Sequence, residues 1–107
     1  MIRSVLYLSA RPGGVDDIVA LYRDEQILEK AMRQEGCLGA ELQVPREEGA
    51  PLLVTALWRD AAAYDAWVAN PIRKTTAPAL AALVDGDFDA SVRGEVYEVV
   101  LAVGEPA

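Results

Sequence analysis

The sequence predicts an α+β fold, an antiparallel four-stranded sheet with its helices on one face, on three observations. Apolar, β-branched or alternating runs at Ile2–Ala10, Cys37–Val44, Leu52–Trp58 and Val92–Val103 are separated by turn clusters, which is strand punctuation. The stretches after Val15 and after Asp60 change to helical spacing. The resulting order, strand, helix, strand, strand, two-part helix, strand, is that of a split βαβ, ferredoxin-like unit.

The first strand stops at the turn cluster Arg11-Pro12-Gly13-Gly14. Beyond it Ile18, Leu21 and Tyr22 share a helical face, Leu28, Ala31 and Met32 continue it, and Gly36 is a candidate C-cap. That pattern predicts one long helix, open to a bend. Glu25 falls near the middle of the stripe, with Glu29 beside it. Either a carboxylate there acts as a base, or the helix changes phase near Asp24–Gln26 and Glu25 points to water. The second reading is preferred, because charged residues are seldom fully buried without a partner.

Cys37–Val44 alternates with Leu38, Ala40, Leu42 and Val44 on one side, and Pro45–Pro51 supplies a polar hairpin loop into the third strand, Leu52–Trp58. Asp60 stands at an N-cap position ahead of Ala61-Ala62-Ala63, and Tyr64, Trp67 and Val68 follow on one helical face. Pro71 disfavours helical conformation at Asn70 and ends that helix. A second short helix restarts near Thr76-Ala77-Pro78 and runs through Leu80 and Leu83 to Gly86, its proline placed in the first turn where no N–H is needed. The last strand, Val92–Val103, is apolar on both faces over much of its length, as for a strand covered on each side. Val5, Leu53, Leu57, Val99 and Leu101 give the second face of the sheet an apolar character, and a second copy of the same sheet is its simplest cover.

A chain of 107 residues is expected to form one domain, 1–107. Its 52% of hydrophobic residues exceeds what one small core hides, which again points to a homodimer. Ten basic against seventeen acidic residues give a net charge of −7, which repels nucleic acid and anionic lipid, so neither is an expected partner. A single cysteine, the lack of a signal-peptide pattern and the lack of a long apolar run lead to the expectation of a cytoplasmic protein. Without any histidine, Ser-His or Cys-His catalysis and ordinary zinc, copper or haem ligation are excluded, so no metal and no cofactor are expected.

The order of elements, with Trp58-Arg59-Asp60, Ala63-Tyr64, Trp67, Asn70-Pro71 and Arg73, resembles the antibiotic biosynthesis monooxygenase family of dimeric α/β barrels. Glu35-Gly36-Cys37-Leu38 is similar to that family's corner between helix and strand. The resemblance implies two identical subunits with facing sheets, and a ligand cavity in each between sheet and helices. It also implies oxidation of phenolic or anthrone-type polyketides to quinones by O2, without metal, flavin or haem. An electron-rich enolate or phenolate passes an electron to O2, the radical pair collapses to a hydroperoxide, and water is lost. The protein then has to bind the aromatic, favour its anion and exclude bulk water.

Carried over by position, the resemblance makes Trp58, Tyr64 and Arg73 the candidate catalytic residues. The Trp58 indole N–H would donate to a substrate or peroxide oxygen, Tyr64 would assist proton transfer, and Arg73 would hold a phenolate. Trp67 would be a stacking wall, and Tyr7, Tyr22 and Val54 complete the candidate substrate-binding set. Two positions depart from the pattern. Val54 stands where biosynthetic members keep an asparagine four residues before the tryptophan, and Ala77 stands where the haem-degrading branch keeps its ligating histidine. A same-fold polyketide cyclase or isomerase using Tyr7, Glu25, Arg3 or Tyr97 as acid or base is an alternative. So is a non-catalytic barrel whose aromatics plug its own core. An empty volume of a few hundred cubic ångströms beside Trp58 is the feature that separates a ligand site from a plugged core.

Overall fold

The computed structural model describes residues 1–87 and 92–104. Four strands, β1 (Ile2–Leu8), β2 (Cys37–Gln43), β3 (Leu52–Trp58) and β4 (Val92–Glu98), form one antiparallel sheet in the order β2-β3-β1-β4. Between them run α1 (Val15–Asp24), α2 (Ile27–Met32), α3 (Ala61–Ala69) and the short α4 (Ala77–Ala81), with a 3-10 turn at Pro71–Lys74. This is the ferredoxin-like arrangement that the order of patterns predicts.

Strand alternation sorts the side chains cleanly. Ile2, Ser4, Leu6 and Leu8 of β1 face the helices together with Leu52, Val54, Ala56 and Trp58, their cross-strand partners on β3. Arg3, Val5 and Tyr7 face away with Leu57, Thr55 and Leu53. On β2 an irregularity between Cys37 and Gly39 lets Leu38 slip out of the alternation, leaving it half exposed while Cys37, Ala40 and Leu42 pack towards the helices. The expectation that Leu38 shares a side with Ala40 and Leu42 is thereby corrected.

The long helix divides in two. Gln26 adopts a left-handed conformation, φ 51°, which ends α1 and restarts α2 in a new phase. Ile27, Leu28 and Ala31 then pack inwards, and Glu25 is exposed. The last strand is shorter than the expected Val92–Val103, because β4 pairs with β1 only as far as Glu98 opposite Ile2. The N–H of Val99 donates to the carbonyl of Met1, and there the partner strand has run out. Similarly β1 ends at Leu8, with Ala10 making an isolated bridge to Val84.

Gly36 turns the chain from α2 into β2 at φ 87°, where a Cβ would lie 2.6 Å from the Cβ of Ala63. A glycine and a small helix residue are thus required of each other, which ties the corner of β2 to α3. Asp60 caps α3 as its position predicts, its Oδ1 accepting from the Ala63 N–H at 2.9 Å. The core forms two clusters. Leu8, Ile18, Tyr22, Leu52, Leu80 and Val84 make one, and Ala31, Ala56, Trp58, Ala63 and Trp67 make the other.

Candidate active site

Between the sheet and the helices, flanked by residues of both core clusters, lies a cavity of about 300 Å³. Its floor is the helix-facing side of β1 and β3, including Ser4, Leu6, Val54, Ala56 and Trp58, and its walls are contributed by α1, α2, α3, the 3-10 turn and α4. That volume is at the lower end of the roughly 300–1,000 Å³ of small-molecule clefts.

The aromatic stretch from Trp58 to Trp67 is both packing and wall. Trp58 is fully buried at the end of β3, meets Tyr64 edge-on with centroids 5.9 Å apart, and stacks on Trp67 at 6.5 Å. All three also line the cavity. The capped turn at Asp60 explains the convergence, since it reverses the chain directly from β3 into α3, so that Tyr64 and Trp67 fold back over Trp58.

Of the seven candidate residues, Trp58, Tyr64, Arg73, Trp67, Tyr22 and Val54 line this cavity. Tyr7 does not. It projects from the other face of the sheet, opposite Arg93, whose guanidinium carbon lies 4.6 Å from the tyrosine ring centroid. Arg3 and Tyr97 share that face, and Glu25 is exposed at the α1–α2 break, so none of the acid-base candidates for cyclisation reaches the cavity wall.

Geometry also alters the part open to Trp58. Its indole N–H donates to the Ser4 hydroxyl at 3.0 Å, so it is already occupied. Ser4 lines the cavity and, with its oxygen accepting from Trp58, keeps its own O–H as a donor. Sequence reasoning missed Ser4, although the signal was there: it is the single polar residue on a strand face otherwise made of Ile2, Leu6 and Leu8. The Tyr22 hydroxyl is pushed up to about 12, chiefly by burial and partly offset by the charge of Arg73. It is therefore a neutral donor at physiological pH and stands within electrostatic reach of Arg73.

Arg73 is placed by a chain of polar contacts. Asn70 Oδ1 accepts from the Ile72 N–H at 3.0 Å and starts the 3-10 turn, while Asn70 Nδ2 donates to Gln34 Oε1 at 3.1 Å. Gln34 in turn donates to the carbonyl of Lys30 at 3.3 Å. This ties the end of α2 to the 3-10 turn and brings Lys30, Arg73 and Lys74 onto one cavity wall. Val54 and Ala77, the two departures, line it as well and offer only carbon.

Comparison with known proteins places the fold and motif together. The antibiotic biosynthesis monooxygenase family model matches residues 1–79. The chain belongs to that family. A solved antibiotic biosynthesis monooxygenase is similar at 22% identity, TM-score 0.74, over 94% of this chain and 100% of that one. SnoaB, a cofactor-independent oxygenase from Streptomyces nogalater, is similar at 17% identity, TM-score 0.77, over 97% of each chain. The haem degrader MhuD from Mycobacterium tuberculosis is similar at 20% identity, TM-score 0.73, over 97% of this chain and 100% of that one. At such identities these likenesses speak for the fold. No protein in the curated set matches the sequence. Among the described residues no helix is long and apolar enough to cross a membrane.

Proposed function

We propose that this member of the family is a cofactor-independent monooxygenase or oxidase that uses O2 on a polycyclic phenol, anthrone or quinol of polyketide type. The observation that carries the reading is the cavity of about 300 Å³ walled by Trp58, Tyr64 and Trp67, with Ser4, Tyr22 and Arg73 among its few polar groups. A flat aromatic stacks on such walls, and a developing enolate or phenolate is favoured by a cation and neutral donors in a largely apolar space. The substrate anion reduces O2 by one electron and the pair combines to a hydroperoxide. Loss of a proton from the same carbon, with cleavage of the O–O bond, leaves a carbonyl and one water. In this scheme Arg73 and the Tyr22 O–H stabilise the anion, Ser4 donates to the peroxide oxygen, and Trp58 fixes the Ser4 hydroxyl.

Oxygen consumption with a hydroxylated anthrone tests it. Trp58→Phe and Arg73→Ala should each lower the rate by roughly 10- to 100-fold, the range for losing one group that orients or stabilises a reacting anion. Unchanged uptake in both folded variants would remove these residues from the reaction. Carbon-only side chains at Val54 and Ala77 favour a second reading, a binding protein with the same cavity and no turnover. It predicts anthrone binding without oxygen uptake above the spontaneous rate.

The working unit in this proposal is a homodimer in the cytoplasm, its sheets facing each other as a barrel. Support comes from Tyr97 on the sheet face turned from the helices and from Val100, Leu101 and Val103 beyond the last strand, large apolar or aromatic residues open to solvent. Val100, Leu101 and Val103, at 82%, 91% and 103% exposure, extend beyond the last strand as an arm with no cover of its own.

A further inference from the structure

The charge on the cavity wall is opposite to the charge of the molecule. The chain carries −7 overall, yet Lys30, Arg73 and Lys74 line the cavity and, among the described residues, no aspartate or glutamate does. None of the three cations forms an ion pair among the described residues, whereas Arg11, Arg59 and Arg93, elsewhere, contact carboxylates. The Tyr22 phenol, which feels the charge of Arg73, keeps its proton up to about 12 and so does not neutralise it. Lys30 comes from α2 and Arg73 and Lys74 from the 3-10 turn, two segments tied by the Gln34–Asn70 hydrogen bond. Lys74 is exposed and Lys30 and Arg73 half-buried, so the cations sit towards the solvent end of the cavity, while Trp58, 0% exposed, marks its inner end.

Resting on the reading of this cavity as a ligand site, we propose that its ligand is an aromatic carboxylate. The fused rings lie against Trp58, Tyr64 and Trp67, and the carboxylate remains at the mouth between Lys30, Arg73 and Lys74. A carboxylate is ionised at neutral pH without help, whereas a phenol with an ordinary value near 10 is not, and three cations exceed what one transient phenolate needs. A partly hydrated mouth suits a charge that never has to be buried, and the local positive field attracts the anion despite the negative molecule around it. The carboxylate thus orients the ring system, its reacting carbon inside and its charged end outside.

The test uses anthracene carboxylate and its primary amide, which share a ring system and differ in charge. Trp58 and Trp67 are the only tryptophans and both line the cavity, so quenching of tryptophan fluorescence reports occupancy directly. The carboxylate is expected to bind about tenfold tighter than the amide at low salt, with most of the preference gone near 1 M salt, where the Debye length is about 3 Å. Lys30→Gln and Arg73→Gln should each reduce the preference for the carboxylate over the amide about two- to fivefold, the size of a half-exposed charge contact. Equal binding of acid and amide overturns the proposal and leaves the cavity as a site for neutral aromatics. Absence of quenching by either probe, in protein shown to be folded by circular dichroism, overturns both this inference and the ligand-site reading.

Discussion

Gly36 shows how one backbone angle holds the corner of the sheet. Gly36→Ala combines a left-handed conformation costing about 1–2 kcal/mol with overpacking against Ala63 costing about 1–3 kcal/mol. A loss of roughly 2–5 kcal/mol in urea unfolding is expected. A double-mutant cycle with Ala63→Gly should recover the overpacking part, and additive effects would mean that the 2.6 Å approach is not the cause. Ser4→Ala leaves the buried Trp58 N–H without its acceptor, which should cost about 1–3 kcal/mol and weaken aromatic binding together with stability. Tyr22 governs the alkaline limb. Its folded value, raised from 10.0 to about 12, means that the folded state holds the proton more tightly than the unfolded chain does. The contribution is complete below pH 10 and fades as pH rises towards 12. Tyr22→Phe should flatten that limb in thermal melts, though only in part, since Tyr97 is also raised to about 12, first by its hydrogen bond to Glu95, and acts with the same sign.

Elements meet the cavity through their ends. Gln26 resets the helical phase so that α2 presents Ile27, Leu28 and Ala31 to the cavity, and Asn70 fastens the 3-10 turn to α2. Asn70→Ala removes both side-chain bonds and should lower stability by about 1–3 kcal/mol. It should also weaken capture of anthracene carboxylate, because Arg73 is no longer held; full retention of that affinity would detach Arg73 from this tether. At the start of α3 the Asp60 carboxyl lies below its ordinary 3.8, chiefly through the Ala63 N–H. The folded state therefore releases this proton more readily, so its stabilisation is complete above the ordinary value and declines as pH falls through the lower, folded one. Asp60→Asn keeps an acceptor for the cap but removes this acid-limb dependence, which melts between neutral and acid pH will show. The helix start was legible in the sequence for this reason: an N-cap is local chemistry. The break at Gln26 was legible only as a conflict between Glu25 and the apolar stripe.

At the scale of the whole molecule, the face of the sheet turned from the helices mixes Val5, Leu53 and Leu57 with Arg3, Glu41, Gln43, Arg93 and Glu95, and is less apolar than Val5, Leu53, Leu57, Val99 and Leu101 alone suggest. The apolar excess lies in the arm from Val100 to Val103, while Val96, opposite Ser4, belongs to the helix-facing side of β4. A dimer built on the face turned from the helices and on the arm should have about twice the 11.5 kDa mass of the chain in light scattering, and Leu101→Glu should shift it towards the monomer. Wild-type protein at monomer mass throughout micromolar concentrations would exclude that assembly.

The sequence by itself determined the order and antiparallel pairing of the strands, the capped turn into α3 and the family, because alternation, capping and proline placement act over a few residues. Six of the seven candidate residues it named surround the cavity, four of them because the segment from Trp58 to Arg73 folds as one local unit. Tertiary structure decided what those residues do to one another. Trp58 spends its N–H on Ser4, a contact between residues 54 positions apart. Tyr7 falls on the far face because a strand sends alternate side chains to opposite sides. Lys30 and Lys74 join Arg73 on one wall only when α2 and the 3-10 turn dock through Gln34 and Asn70. Contacts of that kind depend on where whole elements come to rest, and no spacing along the chain records it.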